Sequence, residues 1–241
     1  RRTVMDWAAE DVAGRTPLGF TIFGNSVAEQ IAQVKHAEAA GADWVILQPP
    51  MAGSYAPAEY IRFFGRVADA TGLPVAIQNA PAYLGRGLTP EEIAALADAH
   101  PNIRTIKAEG PAIEIARLIE TSGARLKIFN GRGGLELTDN LRFGCAGLIL
   151  APDLIDYALR SFAAFEAGDE ANAEAIYRST LPAITFVMQS IETLICYGKR
   201  LFALRAGLEV HDRAPALRPS DTGMHVLTRL AAELGRFGAT T

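Results

Sequence analysis

Short apolar runs alternate with amphipathic helical patterns along most of this chain, and no other feature restricts its fold as strongly. Six runs rich in Val, Ile, Leu or Phe are predicted to be strands, at 18–23, 44–48, 75–78, 104–107, 126–129 and 147–150. They lack polar alternation, as strands do when both faces of a sheet are covered. Helical patterns separate them, and some begin at clear capping signals such as Ser26-Val-Ala-Glu29. The sequence therefore predicts repeated βα units and a parallel sheet.

The number of these units leaves two folds open. Six fit before Asp153, whereas a closed (β/α)8 TIM barrel needs eight. Because the chain opens inside a helical pattern, we expect a TIM barrel that lacks its first two βα units in this chain. An open doubly wound sheet of six strands is the alternative.

From Asp153 onward the pattern is purely helical, with helices predicted at 153–167, 169–179, 183–206 and 220–236. This is more helix than one barrel unit requires. We expect residues 1–167 to hold barrel units three to eight, and residues 168–241 to form a C-terminal helical extension of the same domain.

Composition narrows the class of protein. The 241 residues are 49% apolar, enough to bury a core without disulfides or metal, and the net charge is −4 with scattered basic residues. This charge pattern does not indicate binding to nucleic acid or to an anionic membrane. Cys145 and Cys196 lie far apart, which predicts two buried, reduced side chains. Because no signal peptide or membrane span is visible, we expect a cytoplasmic protein.

Lys107 is the strongest candidate for chemistry. It ends a short apolar strand, and parallel βα barrels form their active sites at the carboxyl ends of strands. Burial disfavours the ammonium form of a lysine, and a neutral amine can attack a ketone to form a Schiff base. The alternative is a lysine that extends from an edge strand into solvent.

Two further features have competing interpretations. Glu109 lies two residues beyond Lys107, so both side chains should share a face. Glu109 could orient the lysine, bind a substrate hydroxyl or form a plain salt bridge.

The segment Asn130-Gly-Arg-Gly-Gly134 could bind phosphate through Arg132, or simply turn tightly from strand to helix. No Ser-His or Cys-His pair lies at a strand end, and no residue cluster indicates a metal.

Together these segments resemble the dihydrodipicolinate synthase / N-acetylneuraminate lyase family of class I aldolases. The strongest elements are Gly41-Ala-Asp-Trp-Val-Ile-Leu-Gln-Pro-Pro50, Leu73-Pro-Val-Ala-Ile-Gln-Asn-Ala-Pro81, Ile106-Lys107 and Gly144-Cys-Ala-Gly147. The resemblance covers nearly the whole chain. It implies a TIM barrel, no cofactor, and a homotetramer or dimer. It also implies that Lys107, on the sixth barrel strand, forms a Schiff base with pyruvate or another 2-keto acid.

Departures from the family pattern concern the substrate. The family's usual Tyr-Asn-X-Pro reads Gln78-Asn79-Ala80-Pro81, and an amide cannot relay a proton as a phenol does. Tyr83 stands where the synthase has a substrate-binding arginine, with Arg86 nearby but out of register. The 2-keto-3-deoxy-L-arabonate dehydratases, a smaller branch, have Gln-Asp-Ala-Pro at this place and Lys-X-Glu at the lysine. That partial resemblance favours a sugar-acid lyase over the synthase reaction.

We therefore predict a Schiff-base-forming lyase that dehydrates or cleaves a 2-keto-3-deoxy sugar acid, with Lys107 and Gln78 as catalytic residues. The predicted substrate-binding residues are Asn79, Tyr83, Glu109, Asn130, Gly131 and Ile149. The expected partner is a small-molecule 2-keto acid. Two alternatives remain: a sugar-acid-binding member without activity, given the missing tyrosine, and a phosphosugar-binding barrel.

Overall fold

The structure is a computed structural model that describes residues 2–239. Its six strands are β1 Gly19–Ile22, β2 Trp44–Leu47, β3 Val75–Asn79, β4 Ile103–Ala108, β5 Lys127–Asn130 and β6 Gly147–Leu148. Each predicted strand is present, with both ends within two residues of the expected ones, so the repeated βα pattern is confirmed.

Helices alternate with these strands and then continue alone. They are α1 Arg2–Val12, α2 Val27–Ala39, α3 Pro57–Ala68, α4 Pro81–Leu84, α5 Pro90–Ala99, α6 Ala112–Ser122, α7 Leu137–Arg142, α8 Ile155–Glu166, α9 Glu170–Val187, α10 Ile191–Thr193, α11 Lys199–Ala206 and α12 Asp221–Leu234. A π-helix, Leu194–Gly198, joins α10 to α11. Short 3₁₀ turns lie at Gly123–Arg125, Arg132–Gly134 and Pro152–Leu154.

The described chain forms two compact regions. The sheet region contains the residues up to Asn130 together with Phe143–Ala146, and the helical region contains Gly131–Arg142 and the residues from Gly147 onward. The predicted division of the chain at residue 167 stays a prediction.

Strand order in the sheet region distinguishes between the two predicted folds. Strands β1 to β5 are all parallel and lie side by side in chain order. Right-handed crossovers in such an order place every connecting helix on one face. Accordingly, Val34 of α2, Phe64 of α3, Leu96 of α5 and Ile115 of α6 belong to one apolar core with that face. A doubly wound sheet reverses its order at a switch point, so this alternative is wrong.

Local sequence signals explain where several helices begin. The Ser26 side chain caps α2 by accepting from the Glu29 amide, and Thr89 with Glu92 forms a complete capping box on α5. Pro90 occupies the first turn of that helix, where its missing N–H costs nothing. These caps fix the helices that cover the sheet.

The helical region has its own core, in which Leu201 and Leu227 are fully buried. One prediction here is wrong: the break expected between residues 179 and 183 is absent, because α9 continues through Pro182 to Val187. Burial of Ala183, Ile184 and Val187 in the core offsets the hydrogen bond that Pro182 removes. The break lies at residues 188–190, where Ser190 caps the next helix.

Within residues 2–239 no single helix is long and apolar enough to cross a membrane; α9 and the segment Ile191–Ala206 reach that length only together, across a bend of 107°.

Candidate active site

The register of the parallel strands places Lys107 directly beside Gln78 on β3, and beside Phe129 on β5. Neighbours paired in this way point to the same face of a sheet. Ile106, the residue before Lys107, is fully buried in the core beneath the helices. Because successive side chains alternate, Lys107 and Gln78 project from the opposite face, away from the helices.

Glu109 connects these two side chains. Its Oε1 lies 3.1 Å from Lys107 Nζ, and its Oε2 accepts a hydrogen bond of 3.2 Å from Gln78 Nε2. The Lys107 and Glu109 side chains are 17% and 14% exposed, so the ion pair is largely shielded from water yet still accessible. The expectation that Lys107 and Glu109 share a face is confirmed.

Gln48 extends this hydrogen-bonded row and was missed in the sequence. It directly follows β2, and its Nε2 donates to Gln78 Oε1 at 2.6 Å. A signal for it exists: Ile46-Leu47-Gln48 and Ala76-Ile77-Gln78 are apolar strands that each end in glutamine. The strand predicted at 44–48 includes Gln48, whereas the candidate site residues are those that follow the strands. The sequence therefore does not single out Gln48.

Asn79 and Asn130 project from the other face. Both pair in register with Ala108, which belongs to the core under the helices. The Asn79 amide accepts from the Leu88 N–H at 2.8 Å and donates to the Leu88 carbonyl at 3.0 Å. Asn130, fully buried, donates to the Gly110 carbonyl at 3.1 Å. Both amides thus hold turns beside the site, and their roles in substrate binding stay predictions.

Three more predicted residues lie on other segments of the chain, and their roles in substrate binding stay predictions. Tyr83 lies half-buried in the short helix α4, Gly131 is a buried turn residue with φ −110° and ψ −103°, and Ile149 is a half-buried residue directly after β6. The structure therefore brings together Lys107, Gln78 and Glu109 from the predicted set.

Comparisons with known proteins identify the family. The family model described as the dihydrodipicolinate synthetase family matches residues 1–231. The chain belongs to this family. The resemblance inferred from the sequence is thereby confirmed.

Individual relatives of the dihydrodipicolinate synthetase family are moderately similar. The chain is 36% identical over 107 residues to the putative 2-dehydro-3-deoxy-D-gluconate aldolase YagE of Escherichia coli K12, a match that covers 44% of this chain and 35% of that protein. It is 31% identical over 183 residues to the 4-hydroxy-tetrahydrodipicolinate synthase of Methanoculleus marisnigri, covering 74% and 62%. The matched part thus spans about a third of the length of YagE and less than two thirds of the length of the synthase.

A solved structure supports the fold over nearly the whole chain. The crystal structure of E. coli YagE in complex with pyruvate superposes with a TM-score of 0.89 at 26% identity, covering 97% of this chain and 80% of that one. The predicted α/β fold with parallel strands is therefore shown.

The glycine-rich turn after β5 has a structural explanation in this family member. Arg132 Nη1 donates to Glu136 Oε2 at 2.6 Å, so its charge already has a carboxylate partner. A Cβ on Gly133, where φ is +61°, would come within 2.5 Å of Met188 Sδ. Glycine is required here by close packing, and this contact disfavours the phosphate interpretation.

Arg86 also has a structural role, because its guanidinium binds backbone carbonyls. Its guanidinium donates to the backbone carbonyls of Pro50 at 2.7 Å, Gly53 at 2.8 Å and Leu84 at 3.0 Å. This side chain therefore holds the loop after β2 in place, and its guanidinium is occupied by backbone carbonyls.

Neither cysteine competes with Lys107 as a nucleophile. Cys145 is buried, and burial raises the pKa of its thiol to about 11. Burial also raises the pKa of Cys196, although the nearby Arg200 charge acts in the opposite direction. Only the thiolate is a strong nucleophile, so burial disfavours reaction at both thiols. Within residues 2–239 no three His, Cys, Asp or Glu side chains cluster as metal ligands.

Proposed function

We propose that this protein is a class I lyase that forms a Schiff base between Lys107 and a 2-keto acid, and that it dehydrates or cleaves a 2-keto-3-deoxy sugar acid. The observation that carries the proposal is the largely shielded Lys107–Glu109 pair, 3.1 Å apart, on the sheet face opposite the helices. Support for the substrate class comes from the similarity to YagE, whose name describes a 2-dehydro-3-deoxy-D-gluconate aldolase and whose structure holds pyruvate. The fold behind this chemistry would be the predicted (β/α)8 barrel, which the uninterrupted strand order supports.

Chemistry begins with proton transfer from the Lys107 ammonium to Glu109, which lies within hydrogen-bond distance. The neutral amine adds to the C2 ketone, and Glu109 returns its proton to the C2 hydroxyl, which leaves as water and gives an iminium. The positively charged iminium withdraws electrons from C3 and makes the C3 proton acidic. Glu109 then removes the C3 proton and passes it to the C4 hydroxyl, which the enamine expels as water. Hydrolysis of the resulting conjugated iminium releases the dehydrated keto acid and free Lys107.

Aldol cleavage uses the same iminium differently. The base removes the proton of the C4 hydroxyl, the C3–C4 bond breaks, and its electron pair enters the enamine while an aldehyde departs. Protonation of the enamine at C3 and hydrolysis then release pyruvate and free Lys107. In both routes Glu109 is the base within reach of the lysine, and Gln78 holds its second oxygen.

The test is turnover of a panel of 2-keto-3-deoxy sugar acids by the full-length protein. Pyruvate release is measured separately from formation of the dehydrated keto product. Lys107→Arg keeps the positive charge beside Glu109 but cannot form the imine, so we expect it to abolish turnover. Lys127→Arg makes the same exchange at an exposed position and should leave the rate unchanged. Turnover retained by Lys107→Arg would contradict the mechanism, and binding of the acids without turnover would identify a sugar-acid sensor instead.

A further inference from the structure

Gln48 occupies a defined place in the active-site row. The register of β2 and β3 pairs Leu47 with Ile77, which sets Gln48 beside Gln78. Three hydrogen-bond or ionic contacts then run in sequence, from Gln48 to Gln78 at 2.6 Å, to Glu109 at 3.2 Å and to Lys107 at 3.1 Å. Gln48 is the outer end of this chain of contacts.

Hydrogen-bond chemistry determines which group donates and which accepts at each contact of this row. The Glu109 carboxylate pairs with an ammonium and can only accept hydrogen bonds, so the Gln78 group that faces it must be the NH₂. The Gln78 carbonyl therefore faces Gln48, which must present its own NH₂. If the Gln78 amide were reversed, two acceptor oxygens would face each other beside the reacting lysine.

The backbone of Gln48 is held in place for this role. Its N–H donates to the Ile22 carbonyl at 3.1 Å, and its carbonyl accepts from Gln30 Nε2 at 2.8 Å. Gln30 is fully buried in the sheet region and also donates to the Gly24 carbonyl at 3.1 Å. The base of the Gln48 side chain is thus anchored by a buried amide that reaches it from α2.

We propose that Gln48 is a positioning residue that sets the orientation of the Gln78 amide. By donating to Gln78 Oε1, it directs the Gln78 NH₂ at Glu109 Oε2 and leaves Glu109 Oε1 as the basic oxygen that faces Lys107. Gln48 acts through Gln78 and is not itself required to touch the substrate. This inference rests on the proposed function, because it assigns Gln48 a part in the same reaction.

Two substitutions of nearly equal size separate orientation from packing. Gln48→Met removes the hydrogen bond and should lower kcat about 2- to 10-fold, the usual value of one such contact. Gln48→Glu keeps the shape but presents a carboxylate at pH 8, which attracts the Gln78 NH₂ and turns its carbonyl towards Glu109. We therefore expect Gln48→Glu to lower kcat by about 10- to 100-fold. If Gln48 had a purely structural role, Gln48→Glu, which keeps the polar shape, should lower kcat less than Gln48→Met.

The decisive experiment is a double-mutant cycle with Gln78→Leu, read as kcat and KM of the full-length protein on the best acid of the panel. If Gln48 acts through Gln78, both Gln48 variants lower kcat with little change in KM, and neither lowers it further once Gln78 is leucine. Gln189→Glu, the same exchange at an exposed glutamine, should have no effect. Borohydride trapping of pyruvate at Lys107 should remain complete in every Gln48 variant.

The possible failures are distinguishable. A wild-type protein that traps pyruvate and turns over its acid, but whose Gln48→Glu variant keeps the wild-type kcat, overturns this inference alone. A loss that persists unchanged in the Gln78→Leu background also overturns it. Absence of both trapping and turnover in the wild-type protein removes the proposed function, and the role of Gln48 with it.

Discussion

Asp153 is predicted to destabilise this protein at neutral pH, and Asp153→Asn should remove that cost. The residue is 2% exposed, and its Oδ2 has no hydrogen-bond partner within the described chain. Burial raises the pKa of its carboxyl from 3.8 to about 6, although the amides of residues 153 and 154 and the charge of Arg205 oppose the shift. Arg205 directs its guanidinium elsewhere, to the Asp153 backbone carbonyl at 2.9 Å and to the Asp156 carboxylate.

The direction in which Asp153 changes the stability with pH follows from how tightly each state binds the proton. A pKa of about 6 in the folded state, against 3.8 for an ordinary aspartate carboxyl, means that the folded protein holds this proton more tightly than the unfolded chain does. The associated stability is fully present below pH 3.8 and is lost as the pH rises through about 6. A difference of about two pKa units, at about 1.4 kcal/mol per unit, is on the order of 3 kcal/mol by pH 8.

Asparagine reproduces the neutral carboxyl, so the Asp153→Asn variant should unfold at higher urea concentration than the wild type at pH 8. The gain in free energy of unfolding should approach about 3 kcal/mol at pH 8 and fall to about half of that at pH 5. Asp11→Asn, at an exposed position, serves as the matched control and should show no gain at either pH. Equal stability of variant and wild type at pH 8, or a gain independent of pH, would refute the reasoning.

Other substitutions test the site and its supports. Glu109→Gln should lower kcat by about 100-fold or more and slow imine trapping with pyruvate, because the base that deprotonates Lys107 is lost; a rate within about threefold of wild type would exclude that role. Asn79→Ala breaks both hydrogen bonds to the Leu88 backbone and should lower the free energy of unfolding in urea by roughly 2 kcal/mol, and an unchanged transition would contradict this. Arg205→Met leaves the Asp156 carboxylate without its buried partner and should cost roughly 3–5 kcal/mol by the same measurement, most of it recovered when Asp156→Asn is added.

Much of the sheet could be predicted because its physical causes are local. Buried strands of a parallel sheet are rich in apolar residues, and the run Trp44–Leu47 and residues 75–77 show this directly. The shared face of Lys107 and Glu109 followed from the two-residue period of an extended chain. Both inferences needed only neighbouring residues.

What the sequence alone could not reveal depends on partners distant in the chain. Asn79 looked like a site residue, but its amide is bound to the backbone of Leu88, which only the path of the loop brings near. Gln48 looked like the end of a strand until the register set it beside Gln78. A helix break is predicted between residues 179 and 183, yet burial of the residues that follow Pro182 keeps α9 intact.

Imine formation by Lys107 is tested most directly by borohydride reduction in the presence of pyruvate. The full-length protein should gain the mass of one reduced pyruvate adduct per chain, peptide mapping should place that adduct on Lys107, and Lys107→Arg should gain none. An unchanged intact mass in the wild-type protein, or an adduct on an exposed lysine such as Lys127, would contradict the account.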